Sequence, residues 1–130
     1  MRPLSAEWAQ KAEGDFATAQ RELRARKIPN FDAACFHAQQ CAEKYLNALL
    51  PEAGIPLTRT HSFPALLDAL LPAEPLWEPF RRDLASLSAY AVEFRYPGES
   101  ADREQAKEAL QLCRGFRQLA RVALGLPGMH

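Results

Sequence analysis

The chain has 130 residues, of which 48% are hydrophobic and 25% are charged, a composition typical of one soluble globular domain over residues 1–130. Sixteen basic and sixteen acidic side chains cancel to a net charge of zero, which argues against a protein that coats DNA or RNA through bulk electrostatics. No apolar run approaches the roughly 20 residues that span a bilayer, and the charged stretch "MRPLSAEWAQKAEGD" lacks the apolar segment that a signal peptide needs, so we expect none. We expect a cytoplasmic protein with no membrane and no DNA partner.

The first half of the sequence shows only helical periodicity. A first helix is predicted from an N-cap at Ser5 to about Arg26, and a second from an N-cap at Asn30 to about Leu50. Each has apolar residues recurring on one face at 100° per residue, which predicts the side that enters the core. These residues are Trp8, Ala12, Phe16, Ala19 and Leu23, then Phe31, Ala34, Cys35, Ala38, Ala42, Tyr45 and Leu49.

The second half predicts three more helices. Ser62 caps a short third helix, a fourth runs from Leu76 to the break at Pro97 and Gly98, and Ser100 caps a fifth. Short connections favour antiparallel neighbours, so we expect an all-α, up-and-down antiparallel bundle of four to five helices. The predicted core positions are Phe63, Leu66, Leu67, Leu70 and Leu71, then Leu76, Phe80, Leu84, Leu87 and Ala91, then Ala106, Ala109, Cys113, Phe116 and Ala120.

A polar row lies nearly opposite the apolar stripe of the second helix. Two interpretations stay open, a solvated helix face or the lining of a groove for a nucleotide or an RNA backbone. His37 and Cys41 have the spacing of two metal ligands, but a zinc site needs at least one more, so we predict no metal. The three cysteines are expected to be reduced core thiols. The polar row consists of His37, Gln40, Lys44 and Asn47.

The fifth predicted helix carries five basic side chains within a narrow arc. Such a stripe suits a phosphate chain or an acidic partner, and it equally suits a solvated charged face. The stripe consists of Arg103, Lys107, Arg114, Arg117 and Arg121.

The stretch "EFRYPGES" places Arg95 and Tyr96 where the fourth helix stops. An arginine at a helix C-terminus stabilises the negative end of the helix dipole, which is one sufficient reason for Arg95. A guanidinium also holds phosphate through two parallel hydrogen bonds, and a tyrosine ring offers a face for base stacking. The local chemistry supports both a helix-end anchor and a binding site.

Three stretches in this order resemble the HEPN domain family, the nucleotide-binding domain of higher eukaryotes and prokaryotes. The segment "FHAQQCAEKYLNALL" resembles the family's A-x-Q-x-x-E-K-x-L-K-A-L helix. "THSFPALL" resembles its T-H-D-L-x-x-L-L segment, and "EFRYPGE" resembles the R-Y-P end of a later helix. The likeness extends over essentially the whole chain.

The resemblance implies a homodimer with the arginine end of the fourth helix near a shared cleft. It also implies a small nucleotidyltransferase as partner, in a toxin–antitoxin-like pair. Arg95 would bind the phosphate of a nucleotide or RNA, and Tyr96 would stack or shape the cleft. Gln40, Lys44 and His61 would complete its polar lining, with no cofactor other than a bound nucleotide.

HEPN members that cut RNA use an arginine followed four to six residues later by a histidine. Arg95 matches that arginine, but no histidine follows it before His130. A general acid–base step would therefore lack its proton carrier, so we predict a non-catalytic binding domain. One alternative is a ribonuclease with a displaced base, His61 or His37, and another is a protein-interaction module whose cleft a partner fills.

Overall fold

The computed structural model describes residues 1–56, 60 and 62–128, and these residues form an all-α helical bundle, as predicted. Five α-helices and one 3-10 helix make up the bundle, with no strand among the described residues. Within that part of the chain, no helix is both long and apolar enough to cross a membrane. The helices are α1 (Pro3–Arg24), α2 (Phe31–Glu52), α3 (Phe63–Leu70), the 3-10 helix (Pro75–Phe80), α4 (Arg81–Glu93) and α5 (Arg103–Ala123).

Helix α2 is the central element, because α1, α3, α4 and α5 all pack against it. Its predicted stripe is buried apart from the partly buried Phe31. Burial also includes polar side chains outside that stripe, namely Gln39, Glu43 and Asn47. Because α2 is covered on most sides, its residues contribute both to the core and to any site that lies at its surface.

Two of the four predicted N-caps are correct. The side chain of Asn30 accepts from the Ala33 N–H at 2.9 Å, and that of Ser62 accepts from the Ala65 N–H at 3.3 Å. The prediction for Ser5 is wrong, because α1 already begins at Pro3 and Ser5 is fully buried inside the helix. Proline fits the first position of a helix, where its missing N–H has no intrahelical partner to lose.

The predicted cap of the fifth helix at Ser100 is also wrong, because Asp102 holds that position. Its carboxylate accepts from the Gln105 N–H at 2.8 Å, and the Gln105 side chain accepts from the Asp102 N–H at 2.9 Å. This reciprocal pair is a capping box and satisfies two backbone donors at once. A lone serine two residues earlier satisfies neither.

The predicted start of the fourth helix is wrong as well. Residues Pro75–Phe80 form a 3-10 helix, so Trp77 is buried while Leu76 is 85% exposed. Three residues per turn place Trp77 and Phe80 on one side of a 3-10 helix, and both rings contact Phe116 of α5, with centroids 5.4 and 5.3 Å apart. Helix α4 ends at Glu93, which leaves Arg95 just beyond it, as predicted.

The basic stripe of α5 is only partly a solvated face, because Arg103 and Lys107 are exposed but most of its cations have partners in the bundle. Arg117 is buried and donates two hydrogen bonds of 2.7 Å to the Glu13 carboxylate of α1. Arg121 donates to the Tyr45 hydroxyl of α2 at 3.0 Å. The other three have partners too: Arg103 lies over the Phe31 ring, Arg114 lies over the Phe16 ring, and Lys107 pairs with Glu104. The four arginines of the stripe therefore attach α5 to α1 and α2, whereas Lys107 pairs within α5.

All three cysteines are free and buried, as predicted. Burial raises the pKa of the Cys35 thiol to about 12, with smaller contributions from Asp32 and Asp102, and burial also raises that of Cys41. Such thiols stay protonated at neutral pH and are poor nucleophiles.

Candidate functional site

A cavity of about 370 Å³ lies between α2 and the C-terminal half of α4. Two of the predicted site residues, Gln40 and Arg95, line it together although they are far apart in sequence. We call it the α2–α4 cavity. Its lining consists of Phe36, Gln39, Gln40 and Glu43 from α2, Ser88, Ala91 and Val92 from α4, and Arg95.

Arg95 reaches the cavity because α4 stops two residues before it. The Phe94 N–H bonds to the Tyr90 carbonyl, the Arg95 N–H bonds to the Val92 carbonyl, and the chain then turns at Gly98 with a φ of 98°. That φ lies in the left-handed region, which glycine adopts without steric cost. Pro97 and Gly98, which follow Arg95 and Tyr96, prevent the helix from continuing, and Arg95 lies in a loop that lines the cavity with α2.

The guanidinium of Arg95 has no hydrogen bond or ion pair with any residue in the ranges 1–56, 60 and 62–128. It makes no side-chain bond to the last carbonyls of α4, so no direct contact supports the helix-end anchor. An exposed guanidinium with all its donors available can hold a phosphate through two hydrogen bonds. Arg95 therefore supplies the cavity with a positive charge that no described side chain neutralises.

Tyr96 follows Arg95 but does not belong to the cavity lining. Its side chain is 64% exposed, so the ring presents much of its surface outward beside the cavity. Phe36, which does line the cavity, is 38% exposed. Two aromatic rings on this side of the molecule thus have surface available for a base or for a protein partner.

A chain of hydrogen bonds runs along the α2 wall of the cavity. The Gln40 amide donates to the Gln39 carbonyl oxygen at 2.8 Å, and the Gln39 amide donates to the Glu43 carboxylate at 3.2 Å. Gln39 is 7% exposed and Glu43 is 3% exposed. The two buried side chains hold Gln40 in one orientation at the cavity surface.

Lys44 lies outside the cavity, on the side of α2 that faces α1. Its ammonium pairs with the carboxylate of Asp15, whose second oxygen lies 2.7 Å from Nδ1 of His37. Helix α1 thus divides the predicted polar row, with Gln40 at the cavity and His37 and Lys44 at Asp15. A ligand contact by Lys44 stays a prediction, as does one by His61, which lies outside the described residues.

Sequence reasoning missed Gln39 and Glu43 as part of the site. Their spacing of four residues on a helix is a signal for a Gln–Glu hydrogen bond, although nothing in the pattern places that bond beside Arg95. Asp15 left a clearer signal, because it lies three residues after Ala12 and four before Ala19 and therefore shares their buried face. A carboxylate on an apolar face requires a partner.

The side chains of the described residues form no cluster of metal ligands. In residues 1–56, 60 and 62–128, no three His, Cys, Asp or Glu side chains come close enough to hold a metal ion. The α2–α4 cavity instead combines one guanidinium, two amides, a carboxylate and an aromatic ring. This set suits a polar organic ligand with an anionic group.

Comparison with known proteins identifies the family. The crystal structure of TT1696 from Thermus thermophilus resembles the chain with a TM-score of 0.77 and 28% identity, over 96% of this chain and 100% of that one. No curated protein sequence matches the chain. The model of the HEPN domain matches residues 5–123, which is nearly the whole chain and includes every side chain of the α2–α4 cavity. The chain therefore belongs to the HEPN domain family.

Proposed function

We propose that the chain is a non-catalytic HEPN domain that binds a nucleotide or RNA in the α2–α4 cavity. The observation that carries this proposal is the position of Arg95, whose guanidinium has no partner among the described residues and lines the same cavity as Gln40. The cavity volume of about 370 Å³ lies at the small end of the range for small-molecule sites, about 300–1,000 Å³. Arg95 would hold a phosphate, and the α2 wall would contact the base or the ribose.

Among the described residues, which do not include His61, the arrangement around Arg95 favours binding over RNA cleavage. Cleavage needs a group that moves a proton at the scissile phosphate. No histidine follows Arg95 before His130, and His37 does not line the cavity, because its Nδ1 is bonded to Asp15 on the α1 side. An arginine alone stabilises charge on a phosphate without supplying the proton transfer.

We further propose that the chain forms a homodimer and acts with a small nucleotidyltransferase, as one component of a toxin–antitoxin-like pair. Membership of the HEPN family supports this proposal, and so does the apolar surface around the cavity. Phe36, Val92 and Tyr96 are each at least 38% exposed there. Co-purification of the tagged chain with the protein encoded beside it tests the pairing, and recovery of the chain without that protein contradicts it.

Replacing Arg95 tests the binding site. Titration calorimetry with ATP and with a short RNA should show binding to the parent protein. Arg95→Ala should weaken it by about 1.5–3 kcal/mol, the contribution of a charge-assisted hydrogen bond. Arg82→Ala is a matched control, because Arg82 is an exposed arginine at the other end of α4.

Equal affinity of Arg95→Ala and the parent, at unchanged thermal stability, would contradict the role of Arg95. A tight complex with the nucleotidyltransferase together with no binding of ATP or RNA would support the second candidate, a protein-interaction module. The exposed apolar side chains around the cavity are the observation that favours this candidate.

A further inference from the structure

The hydrogen-bond chain on the α2 wall includes a carboxylate, and this group determines the direction of the bonds from Gln39 and Gln40. An ionised carboxylate only accepts hydrogen bonds, whereas a glutamine amide can turn over and either donate or accept. Glu43 is therefore the one member of the Gln40–Gln39–Glu43 chain whose role cannot reverse. Gln39 must direct its NH₂ group towards Glu43 across the 3.2 Å contact.

The same reasoning orients Gln40. With its NH₂ group directed at Glu43, Gln39 presents its carbonyl oxygen to Gln40, so Gln40 must donate its own NH₂ group across the 2.8 Å contact. Turning over either amide would bring two donors or two acceptors together. Gln39 and Glu43 are both more than nine-tenths buried, so this mismatch would lie in the interior of the wall. Such a mismatch leaves a buried polar group unsatisfied.

Gln40 is thus left with a carbonyl oxygen, Oε1, and with one N–H of its NH₂ group, and neither forms a hydrogen bond with any residue in the described ranges. Both groups belong to a partly exposed side chain and are available to a ligand. A phosphate group belongs at Arg95, the cationic part of the lining, because a charge-assisted hydrogen bond from a guanidinium is stronger than one from a neutral amide. The base is then the part of a nucleotide that lies at the α2 wall.

We propose that the α2–α4 cavity selects nucleotides whose base carries an exocyclic amino group opposite Gln40, as adenine and cytosine do. The amino group donates to Oε1, and the adjacent ring nitrogen accepts from the remaining N–H of Gln40. A base with an oxo group and a ring N–H at these positions would instead bring two acceptors and two donors together. This inference rests on the proposed function and adds the class of base to it. Glu43 and Gln39 act as positioning residues, because they orient Gln40 within the cavity.

The pairs ATP and ITP, and CTP and UTP, differ mainly in whether that ring position carries an amino or an oxo group. Titration calorimetry on the full chain should give about tenfold tighter binding of ATP than of ITP and of CTP than of UTP, within the discrimination that a well-placed amide provides. Equal affinities within each pair, together with weaker binding by Arg95→Ala, would overturn the base selection and leave the proposed function standing. No binding of any of the four would overturn both.

Glu43→Gln tests the positioning role. An amide at position 43 can donate as well as accept, so the chain of hydrogen bonds can reverse and Gln40 can present its NH₂ group to an oxo base. We expect the ATP to ITP ratio to fall from about tenfold to about one, while ATP affinity changes less than threefold. An unchanged ratio in a folded Glu43→Gln protein overturns the proposal.

Two further variants keep the test decisive if Glu43→Gln does not fold. Gln40→Met removes the acceptor at the cavity surface and should abolish the preference. Retention of the full preference in that variant overturns the proposal.

Glu7→Gln is the control for Glu43→Gln, because it makes the same chemical change at an exposed position of α1 and should leave the ATP to ITP ratio unchanged. A preference for ribose over deoxyribose nucleotides with no preference between ATP and ITP would assign Oε1 to the sugar and likewise overturn the proposal.

Discussion

The carboxylate of Glu13 connects α1, to which it belongs, with one side chain from α2 and one from α5. It accepts two hydrogen bonds from Arg117 of α5 and one from the Tyr45 hydroxyl of α2. Burial raises the pKa of Glu13, but the hydrogen bonds from Arg117 and Tyr45 and the nearby charges lower it by more, so its pKa lies below the usual range. The ionised form is therefore the one that stabilises the fold.

This shift predicts the pH dependence of stability. A carboxylate with a lowered pKa in the folded state stabilises the protein above its unfolded pKa, about 4.3, and loses that contribution as pH falls through the folded value. Glu13→Gln should lower the free energy of unfolding at pH 7 by about 1–2 kcal/mol, because the carboxylate is partly exposed and screened. Urea unfolding of both proteins at pH 7 and near pH 3 should show this difference shrink in acid. A difference that stays constant with pH would contradict the assignment.

At single positions, the sequence predicted the location of Arg95 but not the partners of other charged residues. A proline and a glycine after a helical pattern are local signals, and they sufficed to place Arg95 at a helix end. The pairing of Lys44 with Asp15 joins residues on different helices. It depends on how α1 and α2 are packed, which periodicity does not report.

At the scale of the helices, the predicted stripes of α2, α3 and α5 are correct because all three follow the 100° period of an α-helix. The exposed Leu76 is the exception, because that period does not apply to a 3-10 helix. The α5 cations show a second limit. Spacing grouped them on one arc, but it could not show that Glu13, Phe16, Phe31 and Tyr45 lie opposite them.

The N-terminus of α5 gives a direct comparison of a predicted and an observed cap. Asp102→Ala removes the capping box and should lower the free energy of unfolding by about 1 kcal/mol. Ser100→Ala should change it by less than about 0.5 kcal/mol, the usual range for surface positions without a specific role. Chemical denaturation followed by circular dichroism measures both. A larger loss for Ser100→Ala than for Asp102→Ala would contradict the structural assignment of the cap.

At the scale of the whole molecule, the proposed dimer has a testable surface. Val92 is 56% exposed and lines the α2–α4 cavity, so a dimer that shares this cavity would bury it. Val92→Glu should convert the dimer to a monomer, because an unpaired carboxylate is costly to desolvate in an interface. Light scattering after gel filtration reports the mass.

Leu76→Glu is the matched control for Val92→Glu, because Leu76 is 85% exposed before the start of α4 and does not line the cavity. It should leave the mass unchanged. A dimer that persists in Val92→Glu would place the contact between copies on another surface, and a monomeric parent protein would exclude the dimer itself.

Helix α2 supplies both the centre of the core and one wall of the α2–α4 cavity. The cavity therefore exists only while the core is intact, and any ligand that occupies it binds the folded chain alone. Mass action then raises the free energy of unfolding by about 2.7 kcal/mol when the free ligand reaches a hundred times its Kd. Upward shifts in melting temperature across a library of nucleotides would thus rank their affinities without labels, immobilisation or an assay of activity.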